Sequence, residues 1–374
     1  MTKSDVFFTD MRCRFGDSLL NKLSRIFDKA SLESMELKNK FAAVKIHFGE
    51  PGNLSFLRPN FAKTLADRIS ALGGRPFLTD CGTLYVGRRT HALAHLEAAQ
   101  ENGFWPGSTG CQIIIADGLK GTDDVEVPID KGILLKTARI GRAIMDADVV
   151  FSLNHFKGHE LTGFGGALKN LGMGGGSRAG KMIMHNDGKP VVDEAECAGC
   201  RACAKACAQS AISYAKGSKK GVKAVIDQDK CAGCGRCLGV CNFHAIVPQG
   251  DSANDSLNRK IAEYAKAVVQ NRPNFHINVI NQVSPYCDCH AENDAAVVPD
   301  LGIVASYDPV AADAAAIDMV NDAAPLSGSI IDERPGGGKD HFCRIHPSTD
   351  WRSQLEHAEK IGLGSSKYRI VKVD

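Results

Sequence analysis

The stretch CAGCRACAKACAQSAI, residues 197–212, returns 34 positions later as CAGCGRCLGVCNFHAI, residues 231–246. The two copies match at 8 of 16 positions. Each copy spaces its four cysteines as C-x-x-C-x-x-C-x-x-x-C, so eight of the 14 cysteines of the chain fall into this repeat. The middle of the chain is therefore an internal duplication built around thiols.

The spacing of these thiols indicates the chemistry of the repeat. Thiolates are soft ligands that suit iron–sulfur clusters or zinc. Zinc sites usually pair two C-x-x-C knuckles, whereas this spacing is typical of bacterial two-cluster ferredoxins, in which the fourth cysteine of each copy ligates the other cluster. The sequence thus predicts two [4Fe-4S] clusters, with a pair of zinc knuckles as the alternative. The predicted ligands are Cys197, Cys200, Cys203 and Cys241 for one cluster, and Cys231, Cys234, Cys237 and Cys207 for the other.

The composition is that of an ordinary globular protein. Of 374 residues, 44% are hydrophobic and 24% are charged, and 45 Lys+Arg against 43 Asp+Glu give a formal charge of +2. This balance provides no overall attraction to nucleic acid or to an anionic membrane, so neither is expected as a partner. No apolar run reaches the ~18 residues that span a bilayer, and residues 1–5 lack the apolar core of a signal peptide. We therefore expect a cytoplasmic protein whose clustered cysteines bind metal rather than form disulfides.

Around the repeat, short β-branched runs alternate with amphipathic stretches, which predicts an α/β fold with a largely parallel sheet and helices. The predicted strands are residues 6–8, 42–46, 76–79, 112–116, 149–153, 275–280 and 302–306, and the predicted helices are residues 18–27, 59–72, 90–101 and 309–320. At roughly 150 residues per domain, the length suggests two or three domains. We expect the first part of the α/β domain over residues 1–187, a two-[4Fe-4S] ferredoxin insert over residues 188–250, and a return to the α/β domain over residues 251–374.

Polar side chains stand where four predicted strands end. Ligands of parallel sheets bind beyond the carboxyl ends of the strands, so these side chains are expected to share one crevice. Helix capping would explain a single Asp at such a position, but His is a poor cap. With two residues that follow the last strand, the predicted catalytic residues are His47, Asp80, Asp117, His155, Lys157 and His159.

A glycine-rich segment, residues 158–180, follows His155. Its glycines would let backbone amides converge on a ligand, and its cations suit an anionic group. Residues 175–181 mimic a phosphate loop, but Met182 stands where magnesium needs Ser or Thr, and no strand leads in. A flexible linker into the ferredoxin is the alternative for residues 174–180. The residues expected to bind a small anionic substrate or cofactor are Lys169, Asn170, Arg178 and Lys181.

A C-x-C pair, Cys287 and Cys289, lies in the returning part of the chain. Such a pair can supply two thiolates to one centre, so the hypothesis here is a further metal or iron–sulfur centre. Two unrelated loop thiols or a strained disulfide are the alternatives. Of the other cysteines, Cys81 lies beside Asp80 at a predicted strand end. It is the further thiol most closely associated with the crevice.

Several motifs together resemble the family called domain of unknown function 362, in its ferredoxin-containing form. They are KIHFGEPGN at 45–53, FLRP at 56–59, TDCGTLYVGRR at 79–89, HFKGHELTGFGGALKNLGMG at 155–174, the cysteine repeat, and CDC at 287–289 followed by DLGIVASYDPVAADAA at 300–315. The resemblance covers nearly the whole chain. It implies an iron–sulfur protein of anaerobes rather than a particular reaction.

Two functions of different classes are consistent with these residues. In the first, a low-potential electron donor protein charges the two clusters, which relay electrons to a substrate or a further metal centre in the α/β crevice. His or Lys would protonate a developing anion, while glycine amides with Lys169 or Lys181 would neutralise it. In the second, the chain is a non-enzymatic electron carrier or redox partner protein. Residues 163–168 break the dinucleotide motif G-x-G-x-x-G at its last position, so direct use of nicotinamide is not expected.

Overall fold

The fold is given by a computed structural model, which describes residues 3–84, 87–186, 189–207, 209–216, 221–231, 237, 240, 241, 243, 245–248, 254–333 and 338–373. The strands are β1 (Ser4–Asp10), β2 (Phe41–Lys45), β3 (Arg75–Asp80), β4 (Gln112–Ile115), β5 (Asp124–Pro128), β6 (Thr137–Gly141), β7 (Val149–His155), β8 (Lys157–His159), β9 (Gly163–Gly165), β10 (Pro190–Val192), β11 (Ile212–Lys216), β12 (Val222–Ile226), β13 (Ile246–Pro248), β14 (Asn274–Ile280), β15 (Gly302–Ser306) and β16 (Tyr368–Lys372). The helices are α1 (Leu19–Lys29), α2 (Pro59–Ala71), α3 (Ala92–Glu101), α4 (Pro106–Thr109), α5 (Arg142–Asp146), α6 (Ala167–Gly175), α7 (Arg178–Asn186), α8 (Ala202–Ala206), α9 (Asn254–Val269), α10 (Pro309–Asp322), α11 (Ile330–Glu333), α12 (His341–Ile345) and α13 (Arg352–Lys360), with a 3-10 turn at Leu32–Met35.

An eight-stranded sheet lies at the centre of the molecule, in the order β16-β1-β15-β14-β7-β2-β3-β4. The strands from β14 through β7, β2 and β3 to β4 pair in parallel, as do β1 and β16. Within this sheet β15 alone opposes its neighbours, β1 and β14. The chain is thus an α/β protein with a largely parallel sheet and helices, as the alternation in the sequence predicts.

Helices cover both faces of this sheet. Successive side chains of a strand point to opposite faces. Phe151 accordingly belongs to the apolar cluster that includes α1 and α2, whereas Val150 belongs to the cluster that includes α6, α9 and α10. Strands β7 and β15 are buried along their whole length, as expected for strands with helices on either side. The carboxyl ends of the parallel strands remain as the edge where loops can form a site.

The predicted strands and helices of the α/β part each fall on an observed element. The helix predicted over residues 309–320 is α10, and the carboxylate of Asp308 accepts hydrogen bonds from the N–H groups of Val310 and Ala311 in its first turn. The sequence did not predict the antiparallel hairpins β5–β6 and β8–β9, the edge strand β16 or the reversed direction of β15. These features depend on pairing between distant residues rather than on local periodicity.

The glycine-rich segment departs from both of its interpretations. Its first part forms the hairpin β8–β9, and the rest forms α6 and the start of α7, which are largely buried, instead of a linker or an open loop. A Cβ atom on Gly172 would lie 2.2 Å from the carbonyl oxygen of Ile261 in α9, and one on Gly180 would lie 2.3 Å from that of Arg139 in β6. The glycines are therefore needed because neighbouring backbones approach closely.

The cysteine repeat lies between α7 and α9. Strands β10 and β13 pair through Val191 and Val247, so the two ends of this segment lie side by side, and β11 pairs with β12 between them. The ferredoxin insert over residues 188–250 remains a prediction. Cys234, one of the predicted ligands, lies outside the described residues. In the part of the chain that the structure describes, no helix is long and apolar enough to cross a membrane.

Candidate functional site

A cavity of about 410 Å³ opens at the carboxyl ends of β2 and β3. The hairpin β8–β9, the helices α6 and α7, and the loop that holds the C-x-C pair complete its wall. The predicted site residues that line it are His47, Asp80, His159, Lys169, Asn170, Lys181 and Cys289. Cys81 also lines it, whereas Asp117, His155, Lys157, Arg178 and Cys287 do not. The crevice predicted from the strand ends therefore exists, but part of the predicted set stands behind its wall.

Asp80 lines the cavity and forms a buried ion pair with Lys45 behind it, with the Oδ1 and Nζ atoms 2.9 Å apart. Burial lowers the pKa of Lys45. Burial also favours the neutral form of Asp80, but Lys45 and His95 outweigh it and hold the pKa of this carboxyl well below its usual range. Asn170 locks the pair in place, because its Oδ1 accepts from Lys45 Nζ at 2.6 Å and its Nδ2 donates to the Lys45 carbonyl. Asn170 is thus a structural link between α6 and β2 as well as a wall residue.

His47 and Arg89 form the next part of the wall. Arg89 donates to Nε2 of His47 at 2.8 Å, to Glu50 at 2.7 Å, and to the backbone carbonyl of Cys289 at 3.3 Å. Burial and the neighbouring Arg89 charge hold the pKa of His47 well below its usual value. Burial thus favours the neutral ring of His47, which has the N–H of Gly49 at its Nδ1 and Arg89 at its Nε2.

The C-x-C pair brings two sulfur atoms together at one side of the cavity. Cys287 is buried and accepts a hydrogen bond from Lys169 Nζ at 3.0 Å, whereas Cys289 is half-buried. The neighbouring Cys289 thiol, with Lys169 and His159, outweighs burial and holds the pKa of Cys287 well below its usual value. The same contact and burial raise the pKa of Cys289. Although burial lowers the pKa of Lys169, the two cysteines outweigh it and the pKa is raised. These pKa directions favour a thiolate at Cys287, a thiol at Cys289 and an ammonium at Lys169.

Asp288 anchors the backbone between these two cysteines. Its Oδ1 lies 2.8 Å from Nδ1 of His155, its Oδ2 lies 3.2 Å from Nζ of Lys157, and all three side chains are buried. Burial opposes the charged form of Asp288, but His155 and Lys157 outweigh it and lower the pKa of this carboxyl. Nε2 of His155 is 2.9 Å from the carbonyl oxygen of Asn281. His155 and Lys157, predicted as catalytic, are thus engaged in holding the loop from behind.

The hairpin β8–β9 carries His159 and Glu160 into the cavity. The N–H groups of Leu161 and Thr162 donate to Nδ1 of His159 at 3.1 and 3.2 Å, so the proton of a neutral ring resides on Nε2. Glu160 Oε1 lies 2.8 Å from Nε2 of His290. Burial opposes its ionisation, but His159 and His290 lower the pKa of Glu160 to about 2. The contact between Glu160 and His290 therefore links the hairpin to the C-x-C loop.

These side chains include a group that is close enough to hold a metal ion. Potential ligand atoms of His159, Cys287 and Cys289 lie within 4.8 Å of one another, and so do those of Glu160, Cys289 and His290. Sulfur and imidazole ligands of this kind suit zinc, iron or copper. The C-x-C pair thus lies at the predicted crevice, on the same side as His155.

Two cations predicted to bind an anion differ in their surroundings. Lys181 lines the cavity, and its Nζ donates to the carbonyl oxygen of Gly176. Its charge also acts on the buried carboxyl of Asp117 behind the wall. Arg178 instead donates to the carbonyl of Thr90 behind the wall, and Asp117 accepts from the N–H of Gly82. Burial raises the pKa of Asp117. Neither Arg178 nor Asp117 reaches the cavity.

Several wall residues were not predicted from the sequence. They are Glu50, Arg89, Glu160 and His290, and two further residues, Lys45 and Asp288, stand behind the wall. Each lies in or beside a quoted motif, and Lys45 ends the strand that precedes His47. These residues could have been predicted from the sequence as charged residues within apolar strands or beside glycines. A charge that is buried there requires a partner nearby.

The cysteine repeat forms a second, small cavity. Its wall includes Cys197, Cys200, Cys203 and Cys241, which come from both copies of the repeat. The N–H of Ala224 donates to the Cys197 sulfur at 3.4 Å, and the Tyr214 hydroxyl lies 3.3 Å from the Cys203 sulfur. Four thiols and donors directed at sulfur are the set that an iron–sulfur cluster requires, so these residues fit one. Cys207 accepts from the N–H of Ala211 and is absent from this wall.

The large cavity and the apolar cluster around the repeat cysteines share one residue, Leu84. Leu84 lines the large cavity and belongs to the apolar cluster that contains Cys197, Cys203 and Cys237. Met182, which follows Lys181 in α7, belongs to the same cluster. Cys237 is also close enough to Arg178 to affect its pKa, which burial lowers. The second copy of the repeat therefore packs against the wall of the large cavity.

Comparison with known proteins identifies a family but no curated relative. No curated protein matches the sequence. The lactate racemase apoprotein from Thermoanaerobacterium thermosaccharolyticum is similar in structure, with a TM-score of 0.43 and 12% identity over 78% of this chain and 52% of that protein. A protein from Thermotoga maritima is similar with a TM-score of 0.38 and 13% identity over 91% of this chain and 58% of that protein. The chain thus spans little more than half of the length of either.

The family match covers most of the chain. Residues 42–318 match the family described as Domain of unknown function, DUF362. This range contains β2 to β15, the wall of the large cavity and the cysteine repeat. The chain belongs to the DUF362 family.

Proposed function

We propose that this protein is an iron–sulfur oxidoreductase that reduces a small anionic substrate in the large cavity. The eight cysteines of the repeat would hold two [4Fe-4S] clusters, which supply single low-potential electrons when bound. An external low-potential electron donor protein would recharge them. The observation that carries the proposal is the small cavity shared by Cys197, Cys200, Cys203 and Cys241, because it joins three cysteines of one copy to the fourth of the other.

The position of the repeat supports a link to the large cavity. Electron transfer through protein requires that donor and acceptor be near each other. Leu84 contributes to both the large cavity and the apolar cluster of the repeat cysteines, and Cys237 lies near Arg178, just behind the wall. A simple carrier would not need a cavity with buried charges beside its clusters.

Lys181 would bind the substrate. It is 7% exposed, it lines the cavity, and its hydrogen bond goes to a neutral carbonyl, so an anionic group can approach its ammonium. By contrast, Arg89 is paired with Glu50, and Lys45 with Asp80. Apolar side chains such as Leu161 and Met173 exclude water nearby, which strengthens the attraction between the ammonium and an anion.

His159 would supply the proton that a substrate needs when it gains electrons. Its Nδ1 accepts from two backbone N–H groups, so Nε2 carries the proton and faces the C-x-C pair and Glu160. A fixed tautomer places the donating atom at the cavity. His47 is less suited to this role, because Arg89 donates to its Nε2.

The test begins with anaerobically purified protein. We expect about eight iron and eight sulfide per chain, and spectra of reduced [4Fe-4S] clusters after dithionite. The reduced protein would then be mixed with a panel of small carboxylates and disulfides, and its reoxidation followed by absorbance. Lys181→Gln should slow reoxidation by the effective substrate while leaving iron content unchanged, and exposed Lys120→Gln is the matched control.

Each outcome has a definite meaning. Absence of iron and sulfide, or zinc in their place, would overturn the iron–sulfur assignment. Reoxidation by redox proteins but by no small anion would identify an electron carrier instead of an enzyme. Equal rates for Lys181→Gln and wild type would remove Lys181 from substrate binding.

A further inference from the structure

We infer that Cys287 and Cys289 form a reversible disulfide, and that the cavity reduces small disulfides through this pair. The inference rests on the proposed function for its source of electrons, and it adds the substrate class. The potential ligand atoms of the pair lie within 4.8 Å of each other, and Cys289 faces the cavity. Both cysteines are free in this structure.

The loop is built to hold the two sulfur atoms together. Asp288, which lies between them, is fixed by His155 and Lys157, and the N–H of His290 donates to the Cys287 carbonyl at 3.1 Å. A disulfide requires sulfur atoms about 2.05 Å apart, so side-chain rotation at a fixed backbone must bring them into contact. Such anchoring keeps the thiols adjacent in the reduced state, which favours closure.

The two cysteines are suited to different steps. Cys289 lines the cavity, so a substrate can reach its sulfur. Cys287 is 1% exposed and accepts from Lys169 at 3.0 Å, a contact that stabilises a thiolate. Thiolates are the attacking species in exchange. Cys289 therefore forms the bond to the substrate, and Cys287 then releases it.

The reaction balances as follows. The Cys289 sulfur loses its proton to His290 and attacks one sulfur of a small disulfide, whose S–S bond breaks as the first thiolate leaves with that proton. The Cys287 thiolate then attacks Cys289, so the Cys287–Cys289 bond forms and the second thiolate leaves, taking a proton from solvent. The substrate gains two electrons and the pair loses two. Two electrons from one-electron iron–sulfur donors and one proton for Cys289 restore the starting state.

Cationic and apolar groups of the wall indicate which disulfides would fit. Lys181 offers a positive charge whose hydrogen bond goes to a neutral carbonyl, and His185 lines the cavity on the same helix one turn later. Leu257 and Ile261 provide an apolar surface beside them. A disulfide that carries carboxylates satisfies both surfaces, and cystine is the simplest probe of this kind.

The hydrogen bonds of the pair fit a dithiol better than a metal centre. A histidine that binds metal normally donates its other ring N–H to an acceptor. Nδ1 of His159 instead faces two N–H donors, so Nε2 must keep its proton. Lys169 also directs its ammonium at the Cys287 sulfur, where a cation would be repelled. The neighbouring Glu160 and His290 are already bonded to each other.

The first experiment tests the thiol pair without reference to the clusters. Anaerobic protein is equilibrated in buffers of oxidised and reduced dithiothreitol, trapped with an alkylating agent, digested, and mapped by mass spectrometry. We expect a Cys287–Cys289 disulfide in oxidising buffer that disappears in reducing buffer, and its complete loss in Cys289→Ser but not in Cys343→Ser. Two alkylated thiols at every ratio, or a metal ion retained by the pair, would overturn the inference.

The second experiment tests the substrate class. Dithionite-reduced protein, freed of excess dithionite, is mixed with cystine, and released cysteine and cluster absorbance are both recorded. We expect two cysteines per cystine in wild type, none in Cys289→Ser, and in Cys287→Ser one cysteine per protein with the other half of cystine left on Cys289 as a mixed disulfide, with circular dichroism confirming that both variants fold. Cystine reduction by both variants at the wild-type rate would overturn the inference. A protein without clusters that still forms the disulfide would contradict only the proposed function.

Discussion

Buried charges in this protein are stabilised one by one by specific partners. Lys45 is paired with Asp80, Lys157 with Asp288, and Lys169 with the sulfur of Cys287. Transfer of a charge into a protein interior is costly unless a partner is within reach. Such buried pairs add little to the free energy of unfolding, but they fix the protonation states of nearby groups. Their concentration around one cavity is the reason to seek chemistry there.

The thiolate at Cys287 should depend on Lys169. The neighbouring Cys289 and the Lys169 charge both lower the pKa of Cys287, and replacing this lysine by Gln removes that charge. The pKa of Cys287 should therefore rise, and its alkylation at pH 7 should slow while its alkylation at high pH stays fast. The measurement is the pH profile of iodoacetamide labelling, read by peptide mass, with Lys181→Gln as control. Identical profiles for Lys169→Gln and wild type would contradict the prediction.

Asp313 should make stability depend on pH. Asp313 belongs to α10, and its buried carboxylate accepts hydrogen bonds from the N–H groups of Ala167 and Leu168 at the start of α6. Burial raises its pKa to about 6 from an ordinary value of 3.8. The folded state thus binds more protons than the unfolded state between these values, so the free energy of unfolding falls as pH rises from about 4 to about 6.

Asp313→Asn should remove this dependence. The measurement is the midpoint of anaerobic urea unfolding, followed by circular dichroism at pH 5 and pH 7. Exposed Asp130→Asn is the control and should keep the wild-type difference between the two pH values. If the unfolding midpoint of Asp313→Asn still differed between pH 5 and pH 7 as in wild type, the pH dependence would arise from another group.

At the scale of elements, α6 connects the core to the site. One side of this helix gives Lys169, Asn170 and Met173 to the cavity, and the other packs on α9 through Leu171 and Gly172. Its position therefore sets where the ammonium of Lys169 meets the Cys287 sulfur. Small displacements of α6 should alter the site before they unfold the protein.

Gly172→Ala tests this close approach. The added Cβ would lie 2.2 Å from a backbone oxygen of Ile261, which cannot move as a side chain can. We expect a loss of about 1–3 kcal/mol in the free energy of unfolding, despite the better helix propensity of Ala. In Gly175→Ala the nearest atom is a Val268 methyl at 3.1 Å, so this control should change little. Equal effects of the two substitutions in urea unfolding would contradict the argument.

The sequence predicted those elements whose signal is local. Strands such as residues 275–280 and the helix after Asp308 follow from periodicity and capping, and the crevice follows from polar residues at strand ends. The helices α6 and α7 could not be predicted this way, because their glycines are poor helix formers. What selects them is contact with Ile261 and Arg139, which lie far away in the chain. The sequence likewise could not show that His155, at the end of a strand, is buried against Asp288.

At the scale of the whole molecule, the repeat couples two parts of the chain that are far apart in sequence. Cys241 shares a small cavity with Cys197, Cys200 and Cys203, while Cys207 does not line it. If each cluster takes its fourth ligand from the other copy, neither copy can hold a complete cluster alone. The module then assembles as one unit and keeps the second copy against Leu84 and the wall of the large cavity.

Pairs of substitutions decide between crossed and local ligation. Cys200→Ser and Cys241→Ser should each remove about four iron atoms, and the double variant should lose no more than either alone, because both residues would serve one cluster. Cys200→Ser with Cys207→Ser should instead lose nearly all iron, since these residues would serve different clusters. Local ligation predicts the reverse of both results. Iron and sulfide counts on anaerobic protein provide the measurement, with exposed Cys13→Ser as control. If Cys200 and Cys207 prove redundant with each other, the crossed arrangement is wrong.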